Sequence, residues 1–170
     1  MTIIVSPLSQ IRELILARRP SHLITLLDPE VLIDTPEGFE PDRHLRLAVY
    51  DVNEPVEHMT PPQEGHVHQI LEFARGWDER APLLVHCWAG ISRSTATAYM
   101  LACERNPHAS EHDIAHRLRS AAPHALPNRR LVQLADEMLG RDGRMIAAVE
   151  AIGGNGFVPM GRAFDLPARY

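Results

Sequence analysis

Pro82-Leu83-Leu84-Val85-His86-Cys87-Trp88-Ala89-Gly90-Ile91-Ser92-Arg93-Ser94 reads as three pieces of structure in a row. Pro82–His86 is short, apolar and bounded by a breaker, which predicts a buried strand. Cys87–Arg93 contains a glycine and follows no regular period, which predicts a turn. Ser94–Arg105 has the composition of a helix. A strand that feeds a helix through a tight turn belongs to an α/β fold, and the flanking sequence repeats that alternation.

Toward the N-terminus, Ile3–Val5 predicts a strand. Ser6-Pro7 then predicts an N-cap and a first helical position, followed by Leu8, Ile11, Leu14 and Ile15 on one helical face. Arg18-Arg19-Pro20 ends that helix. His22–Leu27 is a second strand, closed by Asp28-Pro29, and an Asp-, Glu- and Pro-rich loop covers 28–43. Leu45–Val49 is a third strand. Val67, Ile70, Leu71 and Ala74 recur at helical spacing, with Gly76 as the stop. Beyond Arg105, Ser110 caps a helix that turns Ile114, Ala115 and Leu118 inward. Asn128 caps another with Leu131, Leu134, Ala135 and Met138 inward, ending at Gly140. These elements predict a central, mostly parallel sheet flanked by helices, in one domain over 1–150. Residues 151–170 hold four glycines and two prolines. They are expected as a tail packed on or near that domain.

Composition removes several function classes. All 17 basic residues among the 170 are arginine. Walker A nucleotide sites, pyridoxal Schiff bases and biotinyl or lipoyl carriers all need a lysine and are excluded. The net charge is −5 with dispersed acidic residues, so no nucleic-acid partner is expected. Two cysteines, Cys87 and Cys103, form neither a disulfide framework nor a finger spacing. The N-terminus has no basic region followed by an apolar run, and no stretch reaches the ~18 apolar residues of a membrane span. A soluble, cytoplasmic protein without membrane contact is expected; nothing in the sequence speaks to its oligomeric state.

The turn Cys87–Arg93 has the chemistry of an anion site. A strand-to-helix turn points several backbone N–H groups inward, and the following helix adds positive potential. Gly90 permits a backbone geometry that larger residues resist. Arg93 can grip two phosphate oxygens at once. The same field favours the thiolate of Cys87, the form that attacks. Ser92 and His86 can brace the loop. The spacing C-x5-R alone is weak in so arginine-rich a chain; its place between a buried strand and a helix gives it weight.

His86–Ser94 resembles the H-C-x-x-G-x-S-R-[ST] loop of the cysteine-dependent protein tyrosine phosphatase superfamily, in its compact dual-specificity-like branch. A looser resemblance runs over about 20–140 and includes Ala122-Pro123-His124-Ala125-Leu126-Pro127-Asn128. The resemblance implies Cys87 as nucleophile, Arg93 as phosphate ligand and Ser94 as the donor that helps the thiolate leave. Trp88, Ala89, Gly90, Ile91, Ser92 and Arg93 would surround the phosphate, with His86 supporting them. It also implies that no metal and no cofactor is needed, and that a general acid stands on an upstream loop. Asp51 fits, with Glu54 the runner-up and Glu57 behind it. Ser94 could instead serve only as a helix-start residue, and Trp88 could pack rather than touch substrate.

Other patterns read as ordinary structure. Cys103 lies on a helix with no partner residues. His112 and His116 stand four apart, as in zinc-protease helices, but Asp113 is shorter than the glutamate base and fits a capping role after Ser110. His66 and His68 cannot share a helical face. The loop positions Trp88, Ala89 and Ile91 carry no charge, which argues against a polyphosphorylated lipid. A phosphorylated protein, phosphotyrosine first and phosphoserine or phosphothreonine after it, is the expected substrate. A small phosphate ester or a nucleic-acid 5′-phosphate remains open. So do a phosphopeptide-binding domain with little turnover and a rhodanese-like sulfurtransferase.

Overall fold

The computed structural model of the chain describes residues 1–170 except Asn155 and Phe157. Five strands form one sheet: β1 (Thr2–Pro7), β2 (His22–Leu27), β3 (His44–Ala48), β4 (Leu83–Cys87) and β5 (Phe164–Pro167). Their order is β3-β2-β4-β1-β5. The first four run parallel, and β5 lies antiparallel on β1. Six α-helices are described: α1 (Ile11–Arg18), α2 (Glu64–Arg75), α3 (Arg93–Arg105), α4 (Glu111–Ala121), α5 (Arg129–Met138) and α6 (Arg144–Ile152). No helix among the described residues is long and apolar enough to cross a membrane.

The central strands are apolar on both faces, as parallel strands covered on both sides must be. Ile3, Val5, Ile24, Leu26, Leu83 and Val85 turn to the larger core, where α2 to α6 pack. Ile4, Leu23 and Leu84 turn to the other face, covered by Ile11, Leu14 and Ile15 with Ile33 and Phe39 of the 28–43 loop. Because β1 to β4 are parallel, their C-terminal ends lie at one edge of the sheet. The loops after Pro7, Leu27, Ala48 and Cys87 therefore meet there, with β4 at the centre.

Ser6 and Pro7 end β1 instead of opening a helix. They sit in register with His86 and Cys87, and β5 pairs β1 only as far as Val5, so Pro7 lies past that ladder, where a strand tolerates proline. A 3-10 turn, Leu8–Gln10, separates β1 from α1. Helix α6 and strand β5 are not among the elements expected from the sequence, and β5 lies within 151–170, expected as a tail. Helix α6 is capped from α5, since Asp136 accepts hydrogen bonds from the backbone N–H groups of Gly143 (2.6 Å) and Met145 (2.8 Å). Strand β5 buries Leu166 fully against β1.

Behind the central loop, the thinner face holds a buried polar chain. Thr25 Oγ1 lies 2.7 Å from Nε2 of both His86 and His44, and His44 Nδ1 lies 3.0 Å from Thr35 Oγ1. Burial pushes the His86 imidazole down to about 4, and that of His44 likewise to about 4. Both rings are therefore neutral in the folded protein above that value, whereas the unfolded chain takes up protons near pH 6.5. Between about pH 6.5 and 4 the unfolded state binds more protons, so folding stability falls as pH falls. Below pH 4 the loss saturates. Each ring contributes on the order of 3 kcal/mol to this loss. Urea unfolding at pH 7, 5.5 and 4.5 should show the decline, and His44→Gln should reduce its slope. An unchanged slope in that variant would refute the assignment.

Candidate active site

Cys87 is the last residue of β4, and α3 opens six residues later at Arg93. The intervening turn needs Gly90. Its φ is +69°, and a Cβ there would lie 2.6 Å from the backbone nitrogen of Pro7 and 2.8 Å from the carbonyl carbon of Ser6. The loop is thus pressed against the end of β1, which explains both the left-handed conformation and the missing side chain. Helix α3 opens where this turn ends, and the first turn of a helix carries N–H groups without intrahelical partners.

Arg93 is 3% exposed. Its Nη1 donates to Asp28 Oδ1 at 2.6 Å and to the carbonyl of Val49 at 2.5 Å. These two acceptors, from the loops after β2 and β3, fix the guanidinium plane. Its Nε is buried with no hydrogen-bond partner and lies 3.7 Å from Asp51 Oδ2. A buried guanidinium N–H without an acceptor is costly, and an oxyanion in the hollow would remove that cost. Ser94 Oγ lies 3.2 Å from Cys87 Sγ.

Asp51 sits in the loop after β3. Its Oδ1 accepts from Ser92 Oγ at 2.6 Å and from Asn128 Nδ2 at 2.9 Å. Asn128 also caps α5 by accepting from the N–H of Leu131 at 3.0 Å. The cap residue read from sequence thus has a second task, orienting a carboxylate 77 positions away.

Cys87, Trp88, Ala89, Ile91, Ser92, Arg93 and Asp51 share one cavity of about 490 Å³. Its other walls are Asp28, Val31, Leu126, Val158 and Pro159. Trp88 is 52% exposed at the rim. Gly90 shapes the turn without lining the cavity, and His86 stands behind it, held by Thr25. Glu54 lines a different cavity with Met59 and Arg130. Glu57 is exposed beside His58.

Cys103 is fully buried in α3, and burial pushes its thiol up to about 12. The facing Nε2 atoms of His112 and His116 lie 3.1 Å apart on the exposed side of α4. Among the described residues no group of three or more His, Cys, Asp or Glu is placed to hold a metal. Asp28, the Val49 carbonyl and the walls Val31, Leu126, Val158 and Pro159 were not among the sequence candidates. Only Asp28 carried a readable signal, as an acidic residue at the C-terminal end of a strand.

The protein-tyrosine phosphatase family model matches residues 35–130. No curated protein sequence matches the chain at a significant level. Among solved structures, DUSP15 superposes with a TM-score of 0.60 at 19% identity, covering 90% of this chain and 91% of its own. PTPMT1 in complex with PI(5)P gives 0.59 at 18% identity, covering 81% and 87%. A mouse dual specificity phosphatase complexed with zinc tungstate gives 0.51 at 20% identity, covering 80% and 79%. With a family match over more than half of its length and a five-stranded sheet carrying the loop Cys87–Arg93, this chain belongs to the protein-tyrosine phosphatase family, in the compact architecture of its dual-specificity-like members.

Proposed function

We propose that the protein hydrolyses phosphate monoesters, phosphotyrosine in proteins first among them, through a phospho-cysteine intermediate. The observation that carries this is the pairing of Cys87 and Arg93 on one cavity, with the Arg93 guanidinium pinned by Asp28 and its buried Nε left without a hydrogen-bond partner. The thiolate of Cys87 attacks phosphorus, and the bond from phosphorus to the leaving oxygen breaks. The Asp51 carboxyl gives its proton to that oxygen. Arg93 and the loop N–H groups stabilise the charge spread over the equatorial oxygens. Water then attacks the phospho-cysteine, Asp51 takes its proton, and the S–P bond breaks. Ser94 Oγ, 3.2 Å from the sulfur, steadies the departing thiolate.

The walls favour an aryl ester. Val31, Trp88, Ile91, Leu126, Val158 and Pro159 surround a single cationic side chain, Arg93. One phosphate on a flat apolar body fits such a site better than several phosphates on a polar ring. PTPMT1 was solved with PI(5)P, so a phosphoinositide is the comparison substrate to measure.

Hydrolysis of an aryl phosphate and of a phosphotyrosyl peptide, with competitive inhibition by vanadate, tests the reading. Phosphotyrosyl peptide should be turned over faster than dispersed PI(5)P. Faster turnover of the lipid would move the substrate class, and peptide binding without turnover would make the protein a binding domain. Asp51→Asn should lower kcat on a poor leaving group by roughly 10²–10⁴-fold with little change in KM. The same loss in Glu54→Gln, with Asp51→Asn unaffected, would transfer the acid role to Glu54.

A further inference from the structure

The carbonyl groups of an anion-binding loop must point outward, so that its N–H groups point in. In this chain the outward carbonyls have identifiable donors. Trp88 O accepts from the N–H of Leu8 at 3.2 Å, Ile91 O from Leu126 at 2.9 Å, and Ser92 O from Asn128 at 3.2 Å. Ala89 O accepts from the N–H of Gly161, at 2.8 Å. That donor lies well past the residues the family model matches, 35–130.

Gly161 is held there tightly. A Cβ at this position would lie 2.7 Å from the His124 ring and 3.0 Å from Ala89 O. Just beyond it, Ala163 N–H donates to Gln10 Oε1 at 3.0 Å, Phe164 packs edge-on against His124, and β5 pairs with β1. Earlier in the segment, Arg119 donates to the carbonyl of Gly153. Between these anchors, Val158 and Pro159 line the cavity that holds Cys87 and Arg93.

We infer that residues 158–161 are a working part of the active site. Gly161 is a positioning residue that keeps the Ala89 carbonyl turned away from the anion. Val158 and Pro159 form a wall that selects esters with a flat apolar leaving group. The inference deepens the phosphatase reading and rests on it for the choice of substrate.

The full chain is used throughout, because truncation would also remove β5. Gly161→Pro deletes the donor. Orthovanadate binding by calorimetry reads the loop without requiring turnover, and its dissociation constant should rise roughly tenfold. A purely structural role would lower the melting temperature and leave the affinity of the folded fraction as in wild type. That result would overturn the positioning role. Where Gly161→Pro does not fold, Gly161→Ala carries the positioning test. Its Cβ, 3.0 Å from Ala89 O, pushes the donor off that carbonyl and should weaken vanadate binding in the same direction. Wild-type affinity would again overturn the role. The double variant Val158→Gly, Pro159→Gly tests the wall. Its preference, in kcat/KM, for an aryl over an alkyl phosphate should fall roughly tenfold. Wild-type preference in the double variant would overturn the wall. Failure of the wild-type protein itself to hydrolyse either ester would instead refute the phosphatase reading, and vanadate binding would still report on Gly161.

Discussion

Cys87→Ser should lower turnover of an aryl phosphate by about four orders of magnitude or more while phosphotyrosyl peptide binding persists. The reason is the difference between the two nucleophiles. A thiolate is a far stronger nucleophile toward phosphorus than a serine hydroxyl, which attacks only as its proton is removed. Ser94 Oγ, 3.2 Å from the sulfur, is itself a hydroxyl and cannot take that proton. The substitution keeps nearly the same volume, so Arg93 and the loop N–H groups should still grip the anion. Acid-quenched protein incubated with labelled substrate should carry phosphate on wild type and none on the variant. Substantial labelling or turnover in Cys87→Ser would place the nucleophile elsewhere. Cys103 is a poor substitute, being fully buried with its thiol pushed up to about 12.

This prediction rests on a site that the sequence showed unevenly. The loop itself was legible because its chemistry is local: strand, glycine turn and helix follow one another without interruption from Leu83 to Arg105. The central strands were legible because their apolar runs stop at breakers. What stayed hidden depends on contacts between distant residues. Asp28 reaches Arg93 across 65 positions, and only the side-by-side order of β2 and β4 brings their ends together. Helix α6 has apolar residues at helical spacing in Met145, Val149 and Ile152, yet its cap is Asp136 of α5, so no local start signal precedes it. Strand β5 is four residues long and ends in proline. It is a strand because β1 offers it an open edge, which is a property of the sheet. Ser6-Pro7 misled for the opposite reason. A good local start signal lost to five residues of register with β4.

Arg93→Lys should lower kcat/KM by roughly 10³-fold, although the charge is conserved. The guanidinium here has two jobs at once. Nη1 is committed to Asp28 and to the Val49 carbonyl, and Nε is buried without a hydrogen-bond partner, 3.7 Å from Asp51 Oδ2. A lysine ammonium is one point at the end of a flexible chain. Placed near Asp28 and Val49 it withdraws from the anion. Placed on the anion it leaves a carboxylate and a buried carbonyl without their donor. In neither position can it offer the planar pair of N–H groups that match two oxygens of a transferring phosphoryl group. The loss should appear in kcat as well as in KM, because the charge on those oxygens is redistributed in the transition state. Vanadate, which takes on the trigonal bipyramidal geometry, should lose more affinity than inorganic phosphate. Equal losses for the two anions, with kcat retained, would mean that Arg93 binds the ground state only and that the stabilisation of transfer comes from the loop N–H groups and the dipole of α3.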